Sequence, residues 1–198
     1  MTDLDSARVT AITPVRSDRV VVLHVVESWG AGVRSAVLQF VSSTPELEHH
    51  LLRGVRRSEF STEDEAGFES VAVLPSGARP ARAAIRRGAA AVQPDVVHAH
   101  SSYAGMFVRT ALRTRPDRRL VYSPHCFAFE RRDISPITRM LVRAAERVLA
   151  RNTDTFAVCS PAEARAAAAL SRRGARVIHV PNVARIPALA MLEHRDPD

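Results

Sequence analysis

The sequence contains no lysine, and all 28 of its basic residues are arginine. Together with the alanine runs, that usage reflects a codon-biased, GC-rich genome more than a chosen chemistry, so arginine content alone says little about function. Cysteine is nearly absent. Cys126 and Cys159 stand far apart and outside any metal-ligand spacing, which excludes a disulfide framework and a cysteine zinc site. Free thiols in a reducing compartment are expected. No apolar run approaches membrane-spanning length, and residues 1–18 are polar and broken by Pro14, without the apolar core of a signal peptide. A soluble, cytoplasmic chain is the expectation. Aromatic residues make up 5% and do not interleave with the arginines. With no recognisable nucleic-acid motif either, nucleic acid is set aside as a partner. The net charge of +7 still favours anions, among them sugar nucleotides and acidic lipid headgroups.

What is present suffices for one ample globular domain: 198 residues, 46% hydrophobic and 25% charged. The folded part is expected over 19–186, with a disordered segment over 1–18 and a tail over 187–198. The most informative stretch is the run Arg19-Val-Val-Val-Leu-His-Val-Val-Glu27, followed by Ser28-Trp29-Gly30-Ala31-Gly32. So apolar a run fits a strand buried on both faces, as in a parallel sheet. Val33, Val37, Phe40 and Val41 then recur at helical spacing. Gly30 and Gly32 can take backbone angles closed to other residues and leave room for a ligand. A helix N-terminus pointed at that loop suits an anion; an ordinary strand-to-helix turn explains the same residues.

The pattern then repeats. Strands are expected at 48–53, 68–74, 95–100, 119–123, 155–159 and 176–180, with helices at 80–92, 103–113, 136–150 and 161–170. The mixed-charge stretch Gly54 to Gly67 reads as a mobile loop. Strands alternating with helices over the whole length predict an α/β, Rossmann-like, doubly wound and mostly parallel sheet. Ligands of such sheets sit at the carboxyl ends of the strands. Those ends carry Glu27-Ser28-Trp29-Gly30, His98-Ala99-His100-Ser101, Ser123-Pro124-His125-Cys126, Ser160-Pro161-Ala162-Glu163 and Pro181-Asn182.

His98 and His100, two apart on a strand, project to one face, and His125 could add a third metal ligand. No aspartate lies near these strand ends, so hydrogen bonding in a polar cleft is preferred and no metal is expected. His125 can bond a substrate hydroxyl or a loop carbonyl. A Cys126–His125 nucleophile pair is disfavoured because sequence neighbours rarely face each other and no orienting acid is evident. Ser160-Pro161-Ala162-Glu163 is explained in full as a capping box with proline at the first helical position. In the helix from Pro136, residues Ile137, Met140, Leu141, Ala144, Ala145, Val148 and Leu149 form the expected buried stripe, flanked by Arg139, Arg143, Arg147 and Arg151. Arg79, Arg82 and Arg86 share a face of the earlier helix. Such basic faces dock on anionic lipid or an acidic partner, or are simply solvated.

Taken in order and spacing, these motifs resemble the N-terminal domain of family 4 glycosyltransferases of the two-domain GT-B type, over roughly residues 19 to 186. The resemblance implies a Rossmann-like acceptor domain that closes with a similar C-terminal domain over a nucleotide sugar. It implies that Gly30, Ala31 and Gly32 approach the donor diphosphate and that His125 contacts the transferred sugar. Ser101, Ser102 and Glu27 would line the acceptor side, and Pro181-Asn182 would mark the exit toward the second domain. No metal or other cofactor is implied; the nucleotide sugar is a substrate. Three departures stand out. Cys126 occupies a position where the family usually has glycine. Arg34 and Ser35 replace an acidic residue often found past the glycine loop. The chain ends at Asp198 with no Glu-x7-Glu pair, so the C-terminal domain is expected to be missing. The function this implies is transfer of a hexose to a glycan or lipid-linked acceptor in cell-wall or exopolysaccharide synthesis, incomplete without a partner domain. The alternative is a noncatalytic module that binds an acceptor or docks a partner.

Overall fold

The computed structural model describes residues 18–54, 66–171 and 174–182. The expected N-terminal segment, the C-terminal tail and residues 55–65 of the charged loop lie outside them. Seven strands, β1 (Val21–Val26), β2 (Glu48–Gly54), β3 (Ser70–Leu74), β4 (Val96–His100), β5 (Arg119–Ser123), β6 (Thr155–Val158) and β7 (Arg176–His179), alternate with helices. These are α1 (Ala31–Ser43), α2 (Ala78–Val92), α3 (Ser102–Ala111), α4 (Pro136–Leu149) and α5 (Pro161–Leu170). The strands form one sheet in the order β3-β2-β1-β4-β5-β6-β7. Every neighbouring pair is parallel. That order reverses direction between β1 and β4, which is where doubly wound sheets open a ligand crevice.

All six residues of β1 are buried, as the valine run requires of a strand covered on both faces. Alternation along the strands divides the core in two. Leu23, Val25, Leu52, Val97, Leu120, Tyr122, Phe156 and Val158 meet α2, α3 and α5 through Ile85, Phe107, Val108, Ala167 and Leu170. The opposite face carries Val26 and Leu51, which pack with Trp29 and with Val37 of α1. Packing is tight where helix meets sheet: a Cβ on Gly105 of α3 would fall 2.4 Å from the Tyr122 ring. Arg109 lies over that ring at 4.0 Å and donates to Glu146 of α4 at 2.8 Å in a buried ion pair. Tyr122 donates to the other oxygen of Glu146 at 3.2 Å. Asn152 adds two bonds from its amide to the carbonyls of Arg109 and Leu112, both at 2.7 Å.

The structure corrects the reading of α4. Glu146 is its buried residue, while the expected inner stripe faces out: Ile137 is 69% exposed, Met140 64%, Leu141 60% and Val148 59%. The helix turns toward the core the side whose Glu146 pairs with Arg109 and Tyr122, because an unpaired guanidinium in the interior is costlier than exposed hydrocarbon. Arg79 and Arg86 of α2 are exposed and Arg82 is half-buried, and Arg86 Nε donates to the Ala111 carbonyl at 3.2 Å.

Candidate functional site

The residues expected at the strand ends converge because β1, β4 and β5 are adjacent and in register, Val26 beside His100 and His100 beside Ser123. The loops after these strands are thus neighbours at one edge. Glu27 is exposed there. β2 closes against it so tightly that a Cβ on Gly54 would sit 1.9 Å from the Glu27 carbonyl oxygen, which demands glycine. The loop after β1 ends at Gly30, the N-cap of α1, which has no side-chain cap bond, and Ala31 and Gly32 are the first two residues of the helix. The unusual backbone angles expected of these glycines are not there: Gly30 is extended at φ −169°, and Gly32 lies within the helix. The space beside Gly32 is open, since a Cβ there would meet nothing within 4 Å.

Ser101 and Ser102 have structural bonds. Ser101, at φ 84°, caps α3 by accepting from the Ala104 amide, and Ser102 accepts from the Ala128 amide at 3.1 Å. His125 and Cys126 follow with φ of 49° and 91°, two successive left-handed residues of the kind that favours glycine. What holds them is Glu163. Its amide donates to Ser160 Oγ at 3.2 Å, as in the expected cap. The buried carboxylate goes further, accepting from the Cys159 amide and thiol at 3.0 and 3.3 Å and from the Cys126 amide. This bracket between the ends of β5 and β6 was missed in the sequence, where the capping box accounted for Glu163 and nothing marked its reach to Cys126. The Sγ of Cys126 lies 3.8 Å from the Phe127 carbonyl oxygen. Burial and Glu130 push its thiol upward, and burial with the Glu163 bond pushes Cys159 up to about 11.

Below this edge, on the α1 face of the sheet, imidazoles replace hydrocarbon. Nε2 of His125 is 3.2 Å from Nδ1 of His100, and Nε2 of His100 is 3.1 Å from Nδ1 of His24. Nε2 of His24 is 3.1 Å from Nδ1 of His49, whose Nε2 reaches the Thr44 carbonyl oxygen at 2.9 Å. His98 lies beside His100, with ring centroids 3.9 Å apart and the planes tilted by 35°, and bonds Ser123 Oγ at 2.9 Å. Phe40 of α1 covers His98 edge-on at 4.9 Å. Burial disfavours a charge on four of these rings: His24 is pushed down to about 3 by burial and by His49. Burial and neighbouring imidazoles hold His98 and His100 well below the usual range. His125 is lowered chiefly by burial, against an opposing pull from Glu163.

Among the described residues, His24, His98 and His100 place nitrogens within 4.8 Å of one another, a donor set of the kind zinc takes. The triad considered from sequence had His125 in place of His24. The sequence reading missed His24 and His49, although an imidazole inside a valine run is itself a signal of a buried polar contact.

Residues 6–183 match the family model described as a glycosyl transferase 4-like domain. An uncharacterized 41.2 kDa protein in the cps region of Klebsiella pneumoniae is 33% identical over 91 residues, 43% of this chain and 25% of that protein. Among solved structures, Anabaena Alr3699/HepE in complex with UDP superposes with a TM-score of 0.61 at 17% identity, over 81% of this chain and 43% of that one. Sucrose-phosphate synthase from Thermosynechococcus elongatus gives 0.57 at 13%, over 82% and 48%. The chain spans less than half the length of each of these proteins. With its parallel α/β sheet and a family match over nearly its whole length, the chain belongs to the glycosyl transferase 4-like domain family.

Proposed function

We propose that this chain is the acceptor-side half of a glycosyltransferase that moves a hexose from a nucleotide sugar to a glycan or lipid-linked acceptor in surface polysaccharide synthesis. The anomeric carbon passes from the diphosphate oxygen to an acceptor hydroxyl, whose proton leaves with the diphosphate. The α1 N-terminus at Gly30-Ala31-Gly32, without a side-chain cap, faces the diphosphate charge. His125 contacts the transferred sugar, Glu27 with Ser101 and Ser102 lines the acceptor side, and a second Rossmann-like domain closes over the nucleotide. The observation that carries this reading is His125 itself, held in a left-handed turn at the switch edge with no hydrogen bond on its Nδ1 among the described residues. The UDP and UDP-glucose complexes of HepE support the donor class. The cps-region relative supports the pathway.

Calorimetry with UDP- and GDP-sugars, with and without an added C-terminal domain from a related enzyme, tests it. Turnover is expected only with the added domain, and His125→Ala, in protein that still folds, should cost about 100-fold or more in kcat. Absence of binding and turnover in both arms overturns the reading and favours a noncatalytic acceptor-binding or partner-docking module.

The same proposal places the enzyme peripherally at the inner face of the cytoplasmic membrane, where a lipid-linked acceptor resides. No helix among the described residues is long and apolar enough to cross a membrane. The exposed apolar stripe of α4 with its flanking arginines is the surface that would lie on anionic lipid.

A further inference from the structure

We infer that Thr44, His49, His24 and His100 form a one-directional hydrogen-bond chain that holds His125 as its Nε2–H tautomer and leaves Nδ1 as an acceptor for a sugar hydroxyl. The direction is set at the far end. A carbonyl oxygen can only accept, so the 2.9 Å contact with Thr44 requires the proton on Nε2 of His49. The Thr44 hydroxyl, 3.2 Å from the same nitrogen, cannot reverse this, because its own proton goes to the Phe40 carbonyl at 2.8 Å.

A neutral imidazole protonated on Nε2 is bare on Nδ1, and each remaining bond follows from that. His49 Nδ1 accepts from His24 Nε2. His24 Nδ1 then accepts from His100 Nε2, and His100 Nδ1 accepts from His125 Nε2. His125 is left with a lone pair on Nδ1 at the strand edge. The rings of His24, His49 and His100 are buried, and their hydrogen bonds involve no carboxylate. His98 stands outside the chain, committed to Ser123.

A free histidine can present either nitrogen form to a ligand; this one cannot. His49, His24 and His100 are therefore positioning residues. They make His125 select a sugar that offers a hydroxyl proton over one with a methoxy or other acceptor-only group at that position. The selectivity rests on the proposed sugar contact of His125, but the tautomer itself does not.

Two-bond proton–nitrogen correlation spectra of the uniformly 15N-labelled full chain, without sugar, read each tautomer directly. The expected result is one proton on Nε2 and a bare Nδ1 for His125, His100, His24 and His49. In His24→Phe, which keeps a ring of similar shape but breaks the chain, His125 should lose its single form and show a mixture. A wild-type His125 protonated on Nδ1 overturns the inference, and this arm needs no variant to fold. An unchanged His125 in a folded His24→Phe protein also overturns it. Stoichiometric transition metal in the purified protein does so too, since a metal on Nδ1 of His24 and Nε2 of His100 would force a proton onto His100 Nδ1 and reverse His125. Because no sugar is present, failure here is distinct from failure of the transferase reading.

Discussion

Cys126 carries a side chain where its backbone asks for none. At φ 91° a residue with a Cβ is strained by about 1–3 kcal/mol, and its weak Sγ contact with Phe127 returns little. The backbone here favours glycine, and this chain holds cysteine in it by bracing the turn with Glu163. Cys126→Gly should be stabilising by about 1 kcal/mol after the entropy that glycine adds to the unfolded chain, raising Tm by about 2–4 °C. A lowered melting temperature would show that the thiol supports the turn. The departure was visible in the sequence only through the resemblance. Its physical meaning needed the dihedral angle, because a residue's φ is decided by where the chain must go next.

At the scale of elements, the boundaries of α5 and β5 could be read directly from a proline cap and a short apolar run. The orientation of α4 could not. Its apolar and basic residues recur at helical spacing on the assumption that the apolar stripe points inward. That assumption fails because Glu146 must reach Arg109 and Tyr122. The outward stripe has a consequence that cosedimentation checks. The chain is expected to pellet with vesicles of phosphatidylglycerol and stay in solution with phosphatidylcholine alone. Ile137→Asp with Leu141→Asp should reduce the bound fraction about 10-fold or more without changing the melt. Equal binding of the double variant would assign the stripe to a protein surface instead.

For the whole molecule, the buried imidazoles make acid the weak point. In the unfolded chain each takes a proton near pH 6.5. In the folded protein His24 is held down to about 3, with His98 and His100 well below their usual range. A folded-state pKa lowered in this way favours the unfolded chain wherever only the unfolded chain is protonated. Stability is therefore full above pH 7, is lost as pH falls through 6.5, and keeps falling until the folded rings titrate. Each such histidine contributes a slope of about 1.4 kcal/mol per pH unit. Urea denaturation between pH 7.5 and 5 should show a steep fall in the unfolding midpoint, and replacing His98 by Phe should flatten it by about one histidine's share. A midpoint constant down to pH 5 would contradict this burial.

The sequence by itself determined the architecture: the valine run, the alternation of strand and helix periods and the turn residues leave only a doubly wound parallel sheet, since those are local and repeated signals. It also determined which chemistry stands at the strand ends, because in such a sheet carboxyl ends share an edge. Only the tertiary structure decided what those groups do to one another. The link from Thr44 through His49, His24 and His100 to His125 joins residues from two helix-flanking loops and three strands, and the Glu163 bracket crosses between two more. Such contacts depend on sheet order and register, quantities that no window of sequence contains.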